Sequence, residues 1–140
     1  MATPTLPTKI KLEIVTPARL LISEDVDEVS IPGSEGYLGI LPGHLPLLTL
    51  LGTGVLSYRK GNQKVVFACN DGFAEVLPER VIVLASTIER PEEIDVSRAK
   101  ASKDRAEKEL TAKDVDVDAT MAAIKRAQAR IDVAQSAGKT

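Results

Sequence analysis

Hydrophobic residues recur along this chain with two different periods, and the change from one to the other falls near residue 90. Ile10, Leu12 and Ile14 alternate with Lys11 and Glu13, the period of a strand with one buried and one solvated face. Extended runs follow at 19–23 and 26–31, with Glu24-Asp25 between them, and again at 55–59, 64–69, 73–77 and 80–85. Gly52-Thr53-Gly54, Lys60-Gly61-Asn62, Asn70-Asp71-Gly72 and Pro78-Glu79 separate these runs as turn signals. Residues 32–51 supply two more strands. Their glycines allow positive φ and their prolines forbid helix, so this stretch consists of short extended pieces joined by fixed bends. The pattern predicts a β-sandwich or flattened barrel of roughly ten strands over residues 1–90.

After Glu89-Arg90-Pro91 the strand formers give way to Ala, Lys, Glu and Arg. Residues 91–140 read as an α-helical region. Asp95 caps a first helix running to about residue 111, and a second covers about 118–134, with Lys113-Asp114-Val115-Asp116 as the break. Val117, Met121, Ile124, Gln128 and Ile131 form one stripe on the second helix, and Val96, Ala99, Lys103, Ala106 and Leu110 form a thinner one on the first. The short connection makes an antiparallel helical hairpin. Its seam is rich in alanine, and a buried alanine contributes far less than the about 1.5–3 kcal/mol of a buried Leu or Ile. Such a hairpin is cohesive but exchangeable.

Charge adds an asymmetry. Residues 1–94 carry eight Lys and Arg against twelve Asp and Glu, whereas residues 95–140 carry ten against eight. The overall charge of −2 and an aromatic content of 3% with no Trp argue against a nucleic-acid partner. A single cysteine, Cys69, precludes an internal disulfide and a cysteine-built metal site. The N-terminus has no signal-peptide pattern, and the apolar stretch 45–51 is far short of the ~18 residues a spanning helix needs.

Catalytic constellations are missing. His44 is the only histidine, so no zinc site or Cys-His pair can be assembled around it, and a surface or interface role is expected instead. Gly138-Lys139-Thr140 has the end of a phosphate-loop signature, but Val133 stands where its first glycine belongs. Asp71 and Glu75 could be read as paired carboxylates but flank a strand. The arginines are more specific. Arg98 and Arg105 share one helix face and Arg126 and Arg130 another, so a folded hairpin could aim four guanidiniums at one polyphosphate. Spacing alone leaves two further uses open: a solvated basic face, or docking of the second helix on an acidic surface.

The segment G-S-E-G-Y-L-G-I-L-P-G-H-L-P-L-L-T, together with K-L-E-I-V-T-P, D-G-F-A-E-V, V-I-V-L-A and I-D-V-S-R-A, resembles the epsilon subunit of F-type ATP synthases. The resemblance implies a central-stalk rotor subunit that is not itself catalytic. It would couple proton flow to ATP synthesis with the gamma subunit and the c-ring, and inhibit ATP hydrolysis by extending its helices toward the alpha and beta catalytic subunits. It implies a place on the cytoplasmic face of a bacterial membrane, attached only through the complex. I-D-V-S-R-A is similar to the nucleotide-binding signature of ATP-binding relatives. By position it assigns Glu89, Ile94, Asp95, Arg98, Ala99 and Arg105 to a regulatory ATP site, with Arg126 and Arg130 from K-R-A-Q-A-R. No cofactor or metal is implied. Glu35, Tyr37 and His44 correspond to the surface that meets the c-ring and gamma, although Tyr37 stands where some relatives carry an acidic residue. The rival reading is a free-standing ATP-sensing module with no rotor.

Overall fold

The computed structural model describes residues 5–138. Seven strands make one sheet: β1 (Ile10–Val15), β2 (Leu20–Val26), β3 (Glu28–Gly33), β4 (Gly36–Ile40), β5 (Leu47–Lys60), β6 (Gln63–Leu77) and β7 (Arg80–Glu89). Their order across the sheet is β2-β1-β7-β6-β5-β3-β4, and only β1 and β7 run parallel. A 3₁₀ turn at Pro91–Glu93 leads to α1 (Val96–Glu109) and α2 (Val117–Ser136).

One sheet becomes a sandwich because its long strands bend. On β5 the inward residues are Leu51 and then Leu56 and Tyr58. On β6 they are Phe67 and Cys69, then Ala74 and Val76, and on β7 Val81, Val83 and Ala85, then Ile88. All belong to one buried cluster, yet odd and even positions exchange roles partway along each strand. Strict alternation forbids that exchange in a flat strand, so each one crosses a fold line from one layer to the other. Asp71 and Gly72 make the crossing on β6, with φ of 53° and 129°, and the β3–β5 register slips between Ser30 and Gly33.

About ten strands were expected and seven are found among the described residues. The runs 47–51 and 55–59 merge into β5, and 64–69 and 73–77 merge into β6. Asn70-Asp71-Gly72 is a bend inside β6, not a hairpin turn, because partners on both sides keep their register across it. Gly61-Asn62, by contrast, is a true two-residue turn: Lys60 pairs with Gln63, and Gly61 has φ of 61°.

Both helices begin at an acidic cap. The Asp95 carboxylate accepts from the Arg98 amide at 3.1 Å, and Asp116 accepts from the Ala119 amide at 3.1 Å. Gly138, with φ of 79°, follows the end of α2 as a helix-terminating glycine; Lys139 and Thr140 of the same tripeptide lie outside the described residues.

The expected stripe on α2 meets its buried face only at Ile131. Val117 and Met121 are 55% and 41% exposed, while Thr120, Ala127, Ala129, Ile131, Val133 and Ala134 are buried. The reason is that α2 has two neighbours. Ala129, Val133 and Ala134 meet Ala68 and Ile94, with Val55, Val66 and Val96 around them, while α1 packs along α2 with Ala99 and Ala106 buried. Small side chains suit a helix lying close to a sheet. One outer face of the sandwich is thereby covered. The other stays bare, and on it Leu50 lies beside Phe73 and Phe73 beside Leu84, all three exposed.

Candidate functional site

Glu89 ends β7 where the sheet gives way to the helices, and α2 passes over it. Nε of Arg130 donates to Oε1 of Glu89 at 2.7 Å, with the two side chains 37% and 28% exposed. Among the described residues this is the one ion pair joining α2 to the sheet. Two clefts meet at the pair. A small one lies under α2, lined by Thr53, Asn70, Thr87, Arg126 and Ala129, with the Thr53 hydroxyl donating to Oδ1 of Asn70 at 2.5 Å. A larger one, of about 400 Å³, opens toward the β1–β2 turn and is lined by Thr16, Arg19, Leu21, Ser86 and Ile88. At its side Arg19 donates to Glu93 at 3.4 Å.

The residues expected at an ATP site fall into three groups. Glu89, Arg126 and Arg130 converge on the clefts. Asp95, Arg98 and Arg105 lie exposed on and before α1, the Asp95 carboxylate is engaged as a cap, and neither cleft is lined by Arg98 or Arg105. Ile94 and Ala99 are buried and serve the packing of the hairpin. Arg126, Arg98 and Arg105 make no ion pair with any described residue. The chemistry on offer is anion binding, by one unpaired and one paired guanidinium beside several hydroxyls.

Arg19, Thr16, Thr53, Asn70 and Thr87 were not anticipated at the site. Thr16 and Arg19 come from the β1–β2 turn and Thr53, Asn70 and Thr87 from β5, β6 and β7, and no local pattern marks them. Cys69 also lines the small cleft, but burial pushes its thiol up to about 12, so it remains protonated and unreactive. No group of three potential metal-ligating side chains stands together among the described residues. No helix among them is long and apolar enough to cross a membrane.

The residues expected to meet partners lie elsewhere. Glu35 is exposed in the β3–β4 turn, and His44 sits between β4 and β5 with Nδ1 at 2.7 Å from the Leu45 carbonyl oxygen. Tyr37 is 61% exposed, yet its hydroxyl accepts the Val55 amide at 2.8 Å. The bare row Leu50, Phe73 and Leu84 was missed, although Leu47-Leu48-Thr49-Leu50-Leu51 carries a signal for it: a strand apolar on both faces needs cover on both.

Residues 9–91 match the family model for the beta-sandwich domain of the ATP synthase delta/epsilon chain, and residues 92–135 match its long alpha-helix domain. The chain belongs to the ATP synthase delta/epsilon family. It is 49% identical over 134 residues to ATP synthase epsilon chain 2 of Syntrophotalea carbinolica, covering 94% of this chain and 97% of that one. It is 47% identical over 131 residues to the epsilon chain of Solibacter usitatus, covering 92% and 98%. This places it among the epsilon chains. Its fold is similar to that of a chain in the cryo-EM structure of the Euglena gracilis mitochondrial ATP synthase, with a TM-score of 0.78, 23% identity and coverage of 97% of this chain and 85% of that chain.

Proposed function

We propose that this epsilon chain is a non-catalytic rotor subunit of the central stalk, bound through its sandwich to the gamma subunit and the c-ring and peripheral to a bacterial membrane on the cytoplasmic side. The observation that carries this reading is the exposed row Leu50, Phe73 and Leu84 on the face that α2 leaves bare. Large apolar side chains aligned across three strands favour a permanent protein partner. The turn bearing Glu35 and the segment bearing His44, with exposed Leu41 and Leu45, are assigned to the c-ring contact.

The helices regulate. Their grip on the sheet consists of small aliphatic contacts and one ion pair, so a partner or ligand contributing a few kcal/mol shifts them. ATP, held by Arg126, Arg130, Arg98 and Arg105, favours the closed hairpin. When ATP falls, the hairpin opens, and its basic second helix docks toward the catalytic subunits and blocks hydrolysis while the rotor continues to couple proton flow to synthesis.

The test is reconstitution. Added to a catalytic core lacking its epsilon chain, the protein should co-purify with gamma and lower ATP hydrolysis, with millimolar ATP relieving the inhibition more than ADP does. A chain that binds ATP but never associates with gamma would instead be a free-standing sensor.

A further inference from the structure

We propose that Glu75 determines which partner the bare face of the sandwich accepts: it receives one Lys or Arg of that partner, while a bulky apolar side chain of the same partner fills the cleft beside Phe73. This inference rests on the rotor reading above, in which gamma is bound through the bare face, and it names the chemistry that gamma must bring there.

The register carries it. The apolar row extends beyond Leu84, because Leu84 stands opposite Val15 and Val15 opposite Leu20, so it crosses five strands from β5 to β2. On one side of the row lies a cleft of about 340 Å³, lined by Val15, Pro17, Gly72, Phe73 and Leu84. On the other side, two positions along β6 from Phe73 and hence about 7 Å away, stands Glu75. Its ladder neighbours are Leu48 on β5 and Ile82 on β7. Glu75 is exposed, and its carboxylate makes no ion pair with any described residue. The cations of the same face do not serve it: Arg80 donates to Glu13 at 2.9 Å, and Lys11 is two strands away on β1.

A partner lying on the row also covers Glu75, and so takes water from a charge set between two aliphatic side chains. Left unpaired there, the charge opposes binding; matched by a cation, it becomes a charge-assisted hydrogen bond. An apolar surface alone accepts many apolar partners. A carboxylate at a fixed distance from an apolar cleft accepts those that present a cation and a large side chain at that spacing, and rejects the rest. It also sets direction, because a segment laid in reverse across the row brings its cation to the apolar cleft.

The experiment measures binding of the full chain to a catalytic core lacking its epsilon chain, at low and at high salt, with sedimentation of the chain alone alongside. Glu75→Gln should bind about tenfold more weakly and Glu75→Lys about a hundredfold, chiefly through faster dissociation, and the loss in Glu75→Gln should shrink at high salt. Phe73→Ala should weaken binding by about tenfold at either salt concentration, because it removes apolar contact alone. Glu109→Gln, at an exposed carboxylate on α1, should bind as wild type does. Glu75 variants that bind like wild type overturn this assignment and leave the apolar face standing as the partner site. A chain that sediments as a dimer, dissociated by Glu75→Lys, makes the occupant a second copy and overturns it as well. A wild-type chain that never binds the core overturns the rotor reading and this inference with it.

Discussion

The Val55 amide donates to the Tyr37 hydroxyl at 2.8 Å, across a gap in the ladder between β3 and β5. The register slip between Ser30 and Gly33 removes the strand partner that Val55 would otherwise have, and Tyr37 reaches over from β4, where it pairs with Pro32. Gly54 makes the room: a Cβ there would run into the Tyr37 hydroxyl and into Pro32. A residue assigned to partner contact thus also braces the bend of the sheet.

Tyr37→Phe should therefore destabilise the isolated chain by about 1 kcal/mol, the cost of leaving one donor unpaired. Urea denaturation measures this directly. No change in midpoint would mean that Tyr37 serves partners alone.

Gly72 has a stricter requirement. Its φ is 129°, and a Cβ would collide with the Leu84 carbonyl oxygen and the Ala85 backbone. Gly72→Ala should cost at least about 2 kcal/mol. Gly61→Ala, at φ of 61° in open space, should cost only about 1 kcal/mol. Equal losses in thermal unfolding would contradict the crossing of β6 at this point.

Alkaline pH should unfold the protein through its core. Burial pushes the Cys69 thiol from 9.0 up to about 12, and burial with the hydrogen bond to Glu24 pushes the Tyr58 phenol from 10.0 up to about 12. Between those values the unfolded chain releases protons that the folded chain retains, so stability falls as pH rises from about 9 toward 12. Cys69→Ala should flatten the first part of that fall. A pH profile unchanged by the substitution would contradict this origin.

Arg98 is exposed and makes no ion pair with the described residues. Arg98→Ala should leave the stability of the ligand-free chain within about 0.5 kcal/mol of wild type. It should weaken ATP binding and increase inhibition of hydrolysis at moderate ATP. Unchanged ATP binding would remove α1 from the site.

Much of the fold was legible because alternation and capping are local. Ile10, Leu12 and Ile14 announce β1, and Asp95 announces α1. The bends were not, because Asn70-Asp71-Gly72 has the same composition whether the chain reverses or only changes layer, and the partners of β6 decide between the two. The seam of α2 was misread at its start, though not at Ile131, for a related reason. Hydrophobicity picked out Val117 and Met121, but a helix wedged between a sheet and another helix buries what is small, Ala127 and Ala134, and leaves those two outside. At the candidate site, Glu89 and Arg130 were both named from resemblance, but that they bond to each other is a property of the folded chain alone.

Amide hydrogen exchange of the isolated chain, read residue by residue, tests the central claim that the hairpin is a separately releasable unit. The amides of α1 and α2 should exchange through an opening that leaves β5, β6 and β7 protected, and ATP should slow the helices while leaving the sheet unchanged. Helices and sheet exchanging together, in one opening with the free energy of global unfolding, would contradict it.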